Sequence, residues 1–191
     1  MWGAFMKRII CAVLMVLVLC GCSQSDKDIE PALELRRRLH DSEGCSFEAE
    51  ITADYGDSIY SFVMQCQVNE NGNMRFAVRE PKSISGITGN IRNEKGELTF
   101  DDKVLAFETI ADDYITPVVS PWVMIRGISG GYITSCGEDA EYIRLSINDS
   151  YAEDALAMDL WLNDDGLPIF CEIYYKERRC MTIRVTEFTY L

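Results

Sequence analysis

Three kinds of residue in this chain could do chemistry: its acids, its one histidine and its cysteines. Asp101-Asp102, Asp112-Asp113 and Asp164-Asp165 are adjacent acidic pairs. Two carboxylates act as general acid and base only when both converge on one bond. Neighbours in a strand point to opposite faces, so these pairs supply charge without the needed geometry. The Asp164-Asp165-Gly166 run also lacks the spacing and closing glutamate of a calcium loop. His40 falls at the end of a helical pattern, which suits a capping or exposed position better than catalysis. There is no Gly-x-Ser-x-Gly elbow, no Gly-rich phosphate loop and no His-Glu-x-x-His. The chain reads as no enzyme, with no cofactor and no metal ligand set.

The cysteines say more. No Cys-x-x-Cys occurs, so neither a zinc site nor a thioredoxin-like couple is indicated. Cys45 and Cys66 fall on the apolar faces of consecutive strands, so a disulfide between them is expected. The alternative is that Cys45, Cys66, Cys136, Cys171 and Cys180 are small buried thiols. Cys171 and Cys180 also share parity, but a turn at Glu177-Arg178 pairs Cys171 near Arg184, too far for a bond.

Cys22 is a separate case. Lys7 and Arg8 precede an unbroken apolar run from Ile9 to Leu19, and polar residues begin at Ser23. A helix needs about 20 apolar residues to cross a bilayer, and this run has the size of a signal-peptide h-region behind a positive n-region. Leu19-Cys20-Gly21-Cys22 resembles the lipobox of bacterial lipoproteins, where the cysteine is thioether-linked to diacylglycerol. The resemblance implies cleavage after Gly21 and a lipid anchor at Cys22 on the extracytoplasmic face of a bacterial membrane. Residues 1–21 are then the signal peptide, 22–28 the lipidated cysteine and a polar tether, and 29–191 a single domain. At about 3.3 Å per residue the tether reaches roughly 20 Å, which holds the folded body close to the lipid surface.

The chain has 31 acidic and 18 basic residues, a net charge of −13. Such a surface repels phosphate backbones, and no sustained basic stripe appears, which argues against nucleic acid as a partner. Anionic headgroups repel it too, so two acyl chains must do the anchoring.

The groups above must be positioned by a mainly β (α+β) chain. "PALELRRRLH" (31–40) predicts a helix, with Pro31 in its first turn and Ala32, Leu35 and Leu39 on one face. Arg36, Arg37 and Arg38 read as its solvated face and favour the helix dipole; a headgroup clamp is the other possibility. Beyond Gly44 the period changes to two. Strands are expected over 45–54, 60–68 and 73–80, near 87–92, 96–101 and 103–110, and over 131–136, 140–148 and 154–162. Ser120-Pro121-Trp122 predicts an N-cap and first turn for a second helix, which Gly130-Gly131 ends. A closing meander turns at 164–166 and at Glu177-Arg178.

The order of these pieces resembles the LolA/LolB-like group of exported lipoprotein carriers and their relatives. A strand ends in proline ("RFAVREP"), a glycine-led hairpin runs from Gly96 to Phe100, and a helix opens with "SPW". A late Leu160-Trp161-Leu162-Asn163 strand then precedes the Gly166-Leu167-Pro168 turn. The resemblance covers about residues 29–191. It implies a curved antiparallel sheet forming an incomplete β-barrel, its concave face covered by two helices. It implies binding of acyl chains or hydrophobic peptides between sheet and helices, or docking of a protein. The group includes lipid-anchored relatives of the GerS germination type that look like dedicated partners of cell-wall enzymes.

The expected function is therefore a membrane-anchored, non-catalytic binding module that docks or regulates a cell-envelope protein. The alternative is an acyl or lipoprotein ligand in a hydrophobic cavity lined by Phe47, Ile51, Tyr60, Phe62, Met64, Phe76, Phe100, Trp122 and Ile125. A second alternative is an envelope hydrolase using the acids.

Overall fold

Alternating apolar and polar residues organise the molecule, because a period of two sends every second side chain to the same face of a sheet. A computed structural model describes residues 29–93, 95–111, 114–152 and 155–191. Helix α1 (Glu30–Asp41) buries Ala32, Leu35 and Leu39, the stripe its sequence predicts. Six strands follow as successive antiparallel neighbours: β1 (Gly44–Asp54), β2 (Ile59–Asn69), β3 (Met74–Glu80), β4 (Thr88–Arg92), β5 (Lys95–Phe100) and β6 (Lys103–Glu108). A short pair, β7 (Ile110–Ala111) and β8 (Tyr114–Ile115), and a 3-10 turn at Pro117–Val119 lead into helix α2 (Ser120–Gly130). The remaining strands are β9 (Tyr132–Asp139), β10 (Tyr142–Asn148), β11 (Ala157–Leu162), β12 (Pro168–Tyr175) and β13 (Arg178–Tyr190).

Eleven strands form one sheet in the order β6-β5-β4-β3-β2-β1-β13-β12-β11-β10-β9. The last strand pairs with the first, while β6 and β9 are left as two unjoined edges. This is the curved, unclosed barrel expected, with two helices against its inner face.

The register builds that inner face in cross-strand rows. Leu145, Leu160, Cys171, Ile183, Ile51 and Phe62 face one another in turn across β10, β11, β12, β13, β1 and β2, and all are buried. The helix lies tight on the neighbouring row: a Cβ added at Gly127 would come within 2.1 Å of Met158 Cε.

Four local expectations need correction. Ser120 does not cap α2; fully buried, it donates from Oγ to Pro117 O at 2.8 Å, because the 3-10 turn has already begun the helical path. The last hairpin turns at Lys176-Glu177, both with positive φ, one residue earlier than expected. Of the three arginines on α1, Arg37 alone is fully exposed, paired with Glu34 and Asp41. Arg36 donates to Ile128 O and Gly131 O on α2, and Arg38 donates to Asp165 O and lies over the Tyr190 ring. Finally, Cys45 faces Val68 while Cys66 faces Phe47, so the two thiols are diagonal neighbours on the buried face and are not bonded. Diagonal positions in a sheet are roughly 7–8 Å apart, wider than a disulfide spans.

Candidate functional site

Seven of the nine residues expected to line a cavity are buried in the core. Phe47, Ile51, Phe62, Met64 and Phe76 are all buried in the core, and so are Trp122 and Ile125 from the helix side. Trp122 is pinned: its Nε1 donates to Gly72 O at 2.9 Å and the Arg126 guanidinium lies 5.2 Å from its ring centre. Surface clefts border α2. One of about 430 Å³ lies between Trp122, Ile125, Arg126 and Ser129 and the β2–β3 turn at Asn71-Gly72-Asn73. Another of about 250 Å³ on the far side of the helix is lined by Ile110, Val123 and Leu156 among others. Tyr60 and Phe100 are not in the core: they are 55% and 43% exposed. Tyr60 continues the row Ile147, Met158, Ile173, Met181, Ala53, but at the strand end it leaves the packed interior and meets Tyr55.

A different inner row leads to the most distinctive surface. Phe47, Cys66, Phe76, Gly89, Leu98 and Leu105 face one another across β1 to β6. Phe47, Cys66 and Phe76 are buried, Leu98 is half-buried, and Leu105 is 61% exposed. The apolar face thus continues past the end of its cover. Phe100 shares that face, and Val104 on the opposite face is 67% exposed. Among the described residues β6 pairs with β5 alone, so one row of its backbone N–H and C=O groups meets no described strand. Such an edge, apolar on both faces, is a template for pairing with another chain. The other edge, β9, carries Thr134, Ser135, Gly137, Glu138 and Asp139, all exposed. The two edges therefore differ in kind.

Sequence reasoning did not single out Val104 or Leu105. The available signal was "KVLAF", where Val104, Leu105, Ala106 and Phe107 are apolar at consecutive positions, against the alternation that a half-buried strand shows. Asp101 and Asp102, both with positive φ, make the tight turn that presents this strand.

The outer face offers a rival patch. Arg144, Trp161, Phe170 and Arg184 form one cross-strand row, with Arg144 over the Trp161 ring at 5.3 Å and Arg184 over Phe170 at 6.0 Å. Its cations already have partners: Arg144 pairs with Asp159 at 2.6 Å and Arg184 with Glu50 at 3.6 Å. This row reads as a ladder that stabilises the solvent face.

The four buried thiols among the described residues are poor nucleophiles. Burial pushes the Cys45 thiol up to about 12 and the Cys180 thiol up to about 11, and raises Cys66 and Cys171 as well. Thiols so shifted stay protonated at neutral pH and are inert. His40 is exposed at the end of α1. Among the described residues no three His, Cys, Asp or Glu side chains gather where they could hold a metal ion. Asp112-Asp113 and Cys22 lie outside the described residues. No described helix is long and apolar enough to cross a membrane.

No family model matches the chain, and no curated protein matches it. Among solved structures it is similar to a LolA superfamily protein from Nitrosomonas europaea, at 9% identity over 83% of this chain and 92% of that one, with a TM-score of 0.43. It is similar to the lipoprotein LppX of Mycobacterium tuberculosis, at 12% identity over 86% and 96% of the two chains, with a TM-score of 0.41. It is also similar to a chain in the structure of the CwlD amidase from Clostridioides difficile in complex with the GerS lipoprotein. There the identity is 14% over 89% of this chain and 98% of that one, with a TM-score of 0.42. At such identities no residue role carries over from any of them.

Proposed function

We propose that this chain is a lipid-anchored, non-catalytic docking module of a bacterial envelope, which holds a partner protein at the uncovered β5–β6 end of its sheet. The observation that carries this is the inner row from Phe47 to Leu105, buried at one end and 61% exposed at the other. The partner is expected to present an extended apolar segment that adds to β6, its backbone completing the ladder and its side chains covering Leu98, Phe100 and Leu105. Anchoring at Cys22, with a tether of roughly 20 Å, suits holding a partner beside the membrane better than carrying cargo away.

The second reading, an acyl ligand, has the apolar stretch of the cleft at Ile110, Val123 and Leu156 in its favour. A thermal scan of the chain from Ser23 onward, with fatty acids, acylated peptides and phospholipids, separates the two. A ligand at a hundredfold excess over its dissociation constant adds about 2.7 kcal/mol, a rise of roughly 5–10 °C for a chain of this size. The docking reading predicts no such rise. A rise of that size with a lipid would transfer the assignment to the acyl reading.

A further inference from the structure

The outer face of β2–β4 carries two arginines that the docking surface does not use. Arg75 on β3 faces Gln67 on β2 and Asn90 on β4, and Arg92 stands one outward position further along β4. Together with Asn69 and Asn73 these residues line a cleft of about 220 Å³. Both arginine side chains are exposed, and neither makes a hydrogen bond or ion pair in the described structure. Arg75 and Arg92 are diagonal neighbours, so their backbones are roughly 7–8 Å apart and the two cations repel.

With 31 acids against 18 bases, a guanidinium on the surface should find a carboxylate, as Arg37, Arg144, Arg178 and Arg179 do. Among the described residues no carboxylate lines this cleft. Glu97 faces Asn90 from β5, yet forms no ion pair with Arg92. The other polar groups present are carboxamides. The Asn69 side-chain oxygen already accepts the N–H groups of Asn71 and Asn73, at 3.1 and 3.0 Å, which leaves its NH₂ group to donate.

Two unpaired guanidinium forks flanked by carboxamide donors match a small ligand rich in acceptor oxygens and carrying negative charge. We propose that this cleft binds a phosphate ester, independently of the docking reading. The cleft is too small for a folded segment and large enough for one phosphate with its ester substituent. The ester could come from a lipid headgroup or from a free sugar or glycerol phosphate; the chemistry recognised is the same.

The test is calorimetric titration of the full chain in a nonionic detergent. Its probes are glycerol 3-phosphate, the short-chain lipid dihexanoyl phosphatidylglycerol and a glutamate-rich peptide. Saturable binding of glycerol 3-phosphate is expected, and the Arg75→Gln/Arg92→Gln double variant should weaken it by about tenfold or more. Arg79→Gln, on the same strand and face but outside the cleft, should leave it unchanged. A matching melting temperature for all three proteins would show that the fold is intact. Binding of the lipid as well would identify the headgroup as a source, and binding of the free ester alone would place the source off the membrane. Absence of phosphate-ester binding, an equal loss in Arg79→Gln, or binding of the acidic peptide alone would overturn the proposal.

Discussion

Arg36 Nε donates to Ile128 O at 2.7 Å, so a side chain of the first helix caps the carbonyl end of the second. Its Nη2 donates to Gly131 O, also at 2.7 Å. The last carbonyls of a helix have no partner within it and sit at the negative end of its dipole. The two helices that cover the sheet are thereby locked to each other. Replacing a half-buried charged donor of this kind costs about 2 kcal/mol. Arg36→Gln should therefore lower the melting temperature by roughly 4–8 °C, whereas Arg37→Gln, on the exposed face, should move it little. Thermal unfolding of the two variants side by side checks this; equal effects would mean that the cap contributes nothing.

Gly44 joins α1 to the sheet at φ +134°, and a Cβ there would come within 2.0 Å of Val68 O. Backbone strain and overpacking together should make Gly44→Ala cost roughly 3–5 kcal/mol. Gly137, on edge strand β9, has an ordinary φ, and a Cβ added there would meet nothing within 4 Å. Gly137→Ala should therefore stay within about 0.5 kcal/mol of wild type. Denaturant unfolding of both measures the contrast.

The buried thiols and Tyr55 set the alkaline limit of the fold. Burial holds Cys45 near 12 and Cys180 near 11, and raises the Tyr55 phenol to about 12. A group whose pKa is higher folded than unfolded loses its stabilising contribution as pH rises through that interval. Stability from these groups should be complete below about pH 8.5, the unfolded thiol value, and should fall progressively towards pH 12. Urea midpoints measured from pH 7 to 11 should decline, and the decline should be shallower in Cys45→Ala than in wild type.

The same burial predicts that Cys45 and Cys66 resist alkylation in the folded chain and react fully once it is unfolded without reductant. Peptide mapping under those conditions should recover both as free thiols. A linked 45–66 peptide would show that the β1–β2 register differs from the one described.

Much of the fold was legible in period-two alternation. It placed Phe47, Ile51, Met64 and Phe76 on one face, and that face is the core. Alternation tells which face a residue takes, but not how far a cover extends over it. Alternation therefore points Phe100 and Tyr60 towards an interior they do not reach, and it does not distinguish Leu105 on the same face as Phe100. The Arg36 cap was illegible for a related reason, since its acceptors lie 92 and 95 residues away. The last turn was misplaced by one residue because Lys176 and Glu177 adopt positive φ without the Gly, Asn or Asp that usually marks such a turn.

The proposal that Cys22 is lipidated rests on the Leu-Cys-Gly-Cys pattern after the apolar run. Cys22→Ala should abolish incorporation of labelled fatty acid and leave a longer, unprocessed precursor. Unchanged labelling in that variant would rule out Cys22 as the anchor.

Leu105 is exposed, so Leu105→Asp should change the stability of the isolated chain by no more than about 0.5 kcal/mol while weakening partner binding. A large loss of stability instead would mean that the residue belongs to the packed core.

The central claim, docking at β6, is tested most directly by photo-crosslinking in cells, with the reactive amino acid at position 104 on β6 or, as control, at position 135 on β9. Docking at β6 predicts a covalent adduct with one envelope protein from position 104, its loss in the Leu105→Asp background, and none from position 135. No adduct from position 104, or the same adducts from both edges, would contradict it.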